Sequence, residues 1–126
     1  MAKKILVIDD EPDVLKIIML RLERAGYEVV GGMDGREAMD LARHLLPDLI
    51  ILDVYLPDMN GDDVARVIKN NDKLKHIPII LVSATTVSVA ERAKDCGAEG
   101  CLGKPFEPEE LLGLVKRVLG QKGGVK

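Results

Sequence analysis

Among the uninterrupted apolar stretches of this chain are Ile5-Leu6-Val7-Ile8, Leu49-Ile50-Ile51-Leu52 and Ile79-Ile80-Leu81-Val82. A strand with one wet face alternates apolar and polar side chains. A continuous apolar run needs cover on both faces, which is the condition of a strand inside a parallel sheet flanked by helices. The segments between these runs have helical spacing. Pro12 suits a first helical turn, Val14, Leu15, Ile18 and Leu22 recur on one face, and Gly26 marks a stop. Tyr27–Val30 reads as a weaker strand at an edge. Asp34 suits the cap of a helix with Ala38, Leu41, Ala42 and Leu45 inward. Gly61 opens a third helix with Val64, Val67 and Ile68 inside, where Asp62 and Asp63 complement the N-terminal dipole. Thr85 or Thr86 can cap a fourth helix carrying Val89, Ala90 and Ala93. Glu99–Leu102 reads as a fifth strand, and Leu111, Leu112, Val115 and Val118 mark the last helix.

Strand and helix thus alternate five times. The pattern predicts an α/β protein: a (βα)5 doubly wound parallel sheet with right-handed crossovers. One domain is expected over residues 1–120, with 121–126 a flexible tail or the start of a linker. A formal charge of −3 gives no support to direct nucleic-acid binding. No apolar run approaches the roughly eighteen residues of a membrane span, so no membrane insertion and a cytoplasmic location are expected. Cys96 and Cys101 read as two small buried side chains, and His44 and His76 as surface residues.

In open parallel sheets, ligands bind beyond the carboxyl ends of the strands, where the strand order reverses. Strand one delivers Asp9, Asp10 and Glu11 there, strand three Asp53, strand four Ser83, and Lys104 follows strand five. In the flavodoxin-like order 2-1-3-4-5, strands one and three are neighbours, so these acids meet with Ser83 and Lys104 beside them. Each residue alone has a plain alternative: a helix N-terminus, a cap, a turn, a solvated lysine. Together at one sheet edge they form a set of carboxyls that repel one another unless a cation joins them. An oxygen-rich set of this kind suits Mg²⁺.

Ile8-Asp9-Asp10-Glu11, the segment from Asp53 to Gly61, Ser83-Ala84 and Lys104-Pro105-Phe106 closely resemble the receiver domain of two-component response regulators, of the stand-alone chemotaxis-regulator type, over nearly the whole chain. The resemblance implies a switch rather than an enzyme with turnover, and gives each matching residue a role. Asp53 would be the phosphoacceptor. Asp10, Asp53 and the backbone carbonyl of Tyr55 would bind Mg²⁺, with Asp9 acting through water. Lys104 and Ser83 would contact phosphoryl oxygens, and the Lys104–Pro105 bond would be cis. The implied partners are a sensor histidine kinase or phosphotransfer protein and a downstream effector at the helix 4, strand 5, helix 5 face. One position departs from the family. Three residues before the lysine it usually has Tyr or Phe, whose ring swings inward on phosphorylation; here that residue is Cys101.

Two other readings fit parts of the pattern. A phosphate-independent pseudo-receiver would explain Cys101. A Mg²⁺ phosphatase with an Asp nucleophile usually needs a second Asp two residues on, where this chain has Tyr55.

Overall fold

The computed structural model describes residues 2–84 and 86–123. Five strands and five helices alternate: β1 (Lys4–Ile8), α1 (Pro12–Arg24), β2 (Glu28–Gly32), α2 (Gly35–Leu45), β3 (Leu49–Asp53), α3 (Gly61–Lys69), β4 (Ile79–Ser83), α4 (Thr86–Cys96), β5 (Gly100–Gly103) and α5 (Pro108–Gly123). All strand pairings are parallel, in the order β2-β1-β3-β4-β5. This is the flavodoxin-like order expected from the sequence, with β2 on an edge.

The continuous apolar runs split by residue parity, because successive strand side chains point to opposite faces. Leu6, Ile8, Ile50, Leu52, Ile79 and Leu81 pack on the face covered by α2, α3 and α4. Ile5, Val7, Leu49, Ile51, Ile80 and Val82 pack on the face covered by α1 and α5. Neither face of a central strand reaches water.

The local signals act as expected in several helices. Asp34 accepts a hydrogen bond from the Glu37 N–H at 2.8 Å and caps α2. Gly26, just past the end of α1, has φ +99°, a conformation that costs a residue with a Cβ more. Among the described residues, no helix is long and apolar enough to cross a membrane.

Other details differ. Val67 and Ala90 are exposed, and Ala65 and Leu114 occupy inward positions instead. On α3 the buried face runs through Gly61, Val64, Ala65 and Ile68, and the 100° step per residue leaves Val67 outside it. β2 extends through Gly31 and Gly32, which pair with Val7 and Ile8. Residues 121–123, expected to belong to a tail, continue α5; 124–126 lie outside the described residues, as does Thr85, one of the two expected caps of α4. Cys96 is buried, Cys101 is half-buried, and both are free thiols.

Candidate functional site

The carboxyl ends of β1, β3, β4 and β5 converge. Asp53 is the last residue of β3 and sits opposite Val82 of β4. Asp9 follows β1, and its N–H donates to the Gly32 carbonyl at 3.1 Å. Lys104 follows β5, and its N–H donates to the Ser83 carbonyl at 2.8 Å. The Lys104–Pro105 peptide is cis, as expected.

Lys104 joins the acids. Its Nζ lies 2.8 Å from Asp9 Oδ2, 3.0 Å from Asp53 Oδ2 and 3.2 Å from Glu11 Oε1. Asp9 and Asp53 are buried, while Asp10 and Glu11 are exposed. Backbone donors fix the two buried carboxylates: the Glu11 N–H donates to Asp9 Oδ1 at 2.9 Å, and the Tyr55 N–H to Asp53 Oδ1 at 3.2 Å. Burial raises the Asp53 pKa, and repulsion from Asp9 adds to it; the Lys104 hydrogen bond opposes the rise without cancelling it. Burial alone would lower the Lys104 pKa, but hydrogen bonds to Asp9 and Asp53 outweigh it and the ammonium is held above its ordinary range. Lys104 is therefore a fixed cation.

A cavity of about 220 Å³ opens over this cluster, lined by Asp10, Glu11, Asp53, Tyr55, Ala84 and Lys104. Of the six residues singled out from the sequence, Asp10, Asp53, Tyr55 and Lys104 line it. Asp9 lies beneath, on the lysine. Ser83 is buried at the end of β4, and Ala84 rather than Ser83 reaches the lining. Glu11 is a site residue without an expected role. Its signal was the acidic triplet itself, which was divided between metal binding and a helix start.

Carboxylate oxygens of Asp9, Asp10, Glu11 and Asp53 lie within 4.8 Å of one another. Four carboxyls around one ammonium are an all-oxygen donor set with surplus negative charge, the chemistry of a hard divalent cation. The residues present therefore fit Mg²⁺.

The segment after Asp53 reverses tightly beside this end. It folds back through an isolated bridge between Tyr55 and Asn60, and the Gly61 N–H donates to the Val54 carbonyl at 2.6 Å. A Cβ on Gly61 would collide with the Asp53 carbonyl oxygen, so only glycine permits this approach. Asp58 ties the same loop to α2, accepting from the N–H groups of Gly35 at 2.7 Å and Arg36 at 2.9 Å. Those two donors hold its carboxyl below the ordinary range.

Comparison with known proteins places this geometry in context. Residues 5–116 match the family model of the response regulator receiver domain. The polar-differentiation response regulator DivK of Brucella anthropi is 35% identical over 121 residues, spanning 95% of this chain and 98% of its own. Among solved structures, the chemotaxis response regulator CheY4 of Vibrio cholerae superposes with a TM-score of 0.88 at 35% identity, covering 94% of this chain and 99% of its own. A response regulator described as putative, from Chloroflexus aurantiacus, gives 0.92 at 34% identity, covering 95% and 99%.

Proposed function

This chain belongs to the receiver domain family of two-component response regulators, and from that premise we propose that it is a switch phosphorylated on Asp53 with the help of Mg²⁺. The observation that carries the reading is the convergence of Asp53, Asp9 and Glu11 on Lys104 beneath a small open cavity.

The chemistry follows from these residues. An Asp53 oxygen attacks the phosphorus of the donor. The bond from phosphorus to the donor atom breaks, and its electron pair leaves with the donor. An acyl phosphate forms on Asp53. Transfers of this kind depend on positioning and on neutralising charge at the phosphoryl oxygens. The Tyr55 N–H orients the Asp53 carboxylate, and Lys104 offers its ammonium to the incoming oxygens. Ser83, behind the pocket wall, is the hydroxyl that reads the product. Asp10 and Asp53, with the Tyr55 carbonyl and Asp9 through water, are the residues that would hold Mg²⁺, which when bound supplies the positive charge the donor set lacks. The phosphatase reading finds no support, because the residue two beyond Asp53 is an exposed tyrosine and not an acid.

The donor must bring its phosphoryl group to Asp53, so its protein covers the rim of the pocket. One side of that rim is apolar. A groove lined by Val14, Ile17, Ile18, Pro105 and Phe106 shares Ala84 and Lys104 with the phosphoacceptor pocket, and Ile17 is 59% exposed. We assign this groove to the phosphohistidine-bearing domain of a kinase or phosphotransfer protein, and the face of α4, β5 and α5 to a downstream effector.

Incubation with Mg²⁺ and a small acyl-phosphate donor, followed by mass spectrometry, tests the reading. The expected result is one phosphoryl adduct on Asp53, lost with a chelator and absent from Asp53→Asn. An adduct that survives Asp53→Asn contradicts it.

A further inference from the structure

Cys101 cannot swing an aromatic ring. It pairs in register with Leu81 and packs half-buried against the core on the α4 face. A different set of residues connects the pocket to α4. Tyr55 lines the phosphoacceptor pocket and is 46% exposed. The guanidinium carbon of Arg92, on α4, lies 5.5 Å from the centre of that ring. Arg92 Nη1 in turn lies 3.0 Å from Asp62 Oδ2, and Asp62 is buried in the first turn of α3.

The pair is too well shielded to be a surface ornament. The Asp62 side chain is 9% exposed and that of Arg92 30%. The contact is one-pronged, since Asp62 Oδ1 has no hydrogen-bond partner among the described residues. A buried carboxylate that lost such a counterion would be left unpaired at high cost. Asp62 therefore holds Arg92 in place. A cation held over a ring face attracts the ring quadrupole, so Arg92 holds Tyr55. The order of dependence is Asp62, Arg92, Tyr55, pocket.

We propose that Arg92 is a positioning residue: anchored by Asp62, it holds the Tyr55 ring at the mouth of the phosphoacceptor pocket and ties that ring to α4. This rests on the phosphoacceptor reading of Asp53 and adds to it a route for coupling. The Tyr55 ring limits the approach of water to the acyl phosphate. A partner that shifts α4 moves Arg92, and with it the ring. Because coupling between sites is reciprocal, phosphorylation that displaces the ring is felt at α4. The dipole role suffices for Asp63, which pairs with Arg66 at 2.7 Å on the surface, but not for Asp62.

The test is the lifetime of phospho-Asp53, measured by loss of the phosphoryl group in the intact protein after the donor is removed. Arg92→Met should shorten it about threefold, the size expected for one cation–ring contact. Tyr55→Ala should shorten it at least as much. In the Tyr55→Ala background, Arg92→Met should add nothing; with Tyr55 intact, Arg92→Lys should keep most of the wild-type lifetime. If Arg92→Met unsettles the fold, Asp62→Leu/Arg92→Leu replaces the pair by apolar side chains and should give the same shortening. A wild-type lifetime in Arg92→Met or in the double leucine variant, or multiplying effects of the Tyr55 and Arg92→Met changes, overturns the inference while the phosphoacceptor reading stands. Absence of any adduct on the unaltered protein overturns both.

Discussion

Two nearly buried lysines sit at opposite ends of the sheet, Lys104 with a side chain 14% exposed and Lys69 with one 15% exposed. Lys69 ends α3 at the amino ends of β4 and β5. Its Nζ donates to Glu99 Oε2 at 2.7 Å and to the carbonyls of Ile77 at 2.8 Å and Lys75 at 3.3 Å. Glu99 completes the set by accepting from the Ile79 N–H at 2.8 Å. One positive charge meets one negative charge, and neutral carbonyls take the remaining donors. Among the described residues, the side chain of Lys104 at the other end meets carboxylates only, three of them directly. Asp10 lies close by and brings the set to four. The first cluster balances its charge and joins elements. The second carries surplus negative charge and opens to solvent. The same residue type, equally shielded, balances one acid at one end and joins a surplus of acids at the other.

The sharpest way to break this comparison is to remove each cation or its partner. Lys104→Met leaves Asp9 and Asp53 buried beside each other without a counterion. Stability to urea should fall by about 3–5 kcal/mol in the absence of divalent cations, and added Mg²⁺ should restore part of it. An unchanged urea midpoint would mean that Lys104 does not hold the strand ends together. At the other end, Glu99→Ala removes a partly exposed ion pair and the acceptor of one backbone N–H. A loss of about 1–2 kcal/mol is expected, with no change in the response to Mg²⁺. A changed Mg²⁺ response would break the separation of the two ends.

The smallest effect concerns Asp58, which stands between the site and α2. Its carboxyl is held below the ordinary 3.8 by the Gly35 and Arg36 N–H groups. A depressed folded pKa contributes stability that is complete above the unfolded value and is lost as pH falls through the folded one. The wild type should therefore lose more stability than Asp58→Asn as pH drops below about 4. Parallel acid-unfolding curves would show that the contact contributes nothing.

Much of this was legible in the sequence, for reasons particular residues make plain. The three apolar runs read as strands covered on both faces, and their alternation with helical segments left few ways to wind the chain. Asp53 and Asp10 were visible because each stands just past such a run, and Lys104 because it follows the fifth strand. The less legible parts depend on distance in sequence or on crowding. Asp62 looked sufficient as a first-turn acid, and nothing local to it points to Arg92 on another helix. Asp58 drew no separate reading, since its two donors open a helix that precedes it in the chain. Gly31 and Gly32 fell outside the strand expected over Tyr27–Val30. They continue it by pairing with Val7 and Ile8, and the Met19 and Ile8 side chains press on the space a Cβ would fill. Val67 followed the apolar pattern and still faces outward, because a pattern of three apolar residues does not fix the centre of a helical face.

The central claim is that the strand-end cluster, and not merely any acidic surface, takes a divalent cation and prepares Asp53 for a phosphoryl group. Calorimetric titration with Mg²⁺ tests it most directly, on the wild type, Asp10→Asn and Glu99→Gln. Saturable binding at one site in the wild type is predicted, retained in Glu99→Gln and weakened at least tenfold, about 1.4 kcal/mol, in Asp10→Asn. Binding that ignores Asp10, or that fails equally in Glu99→Gln, would contradict it.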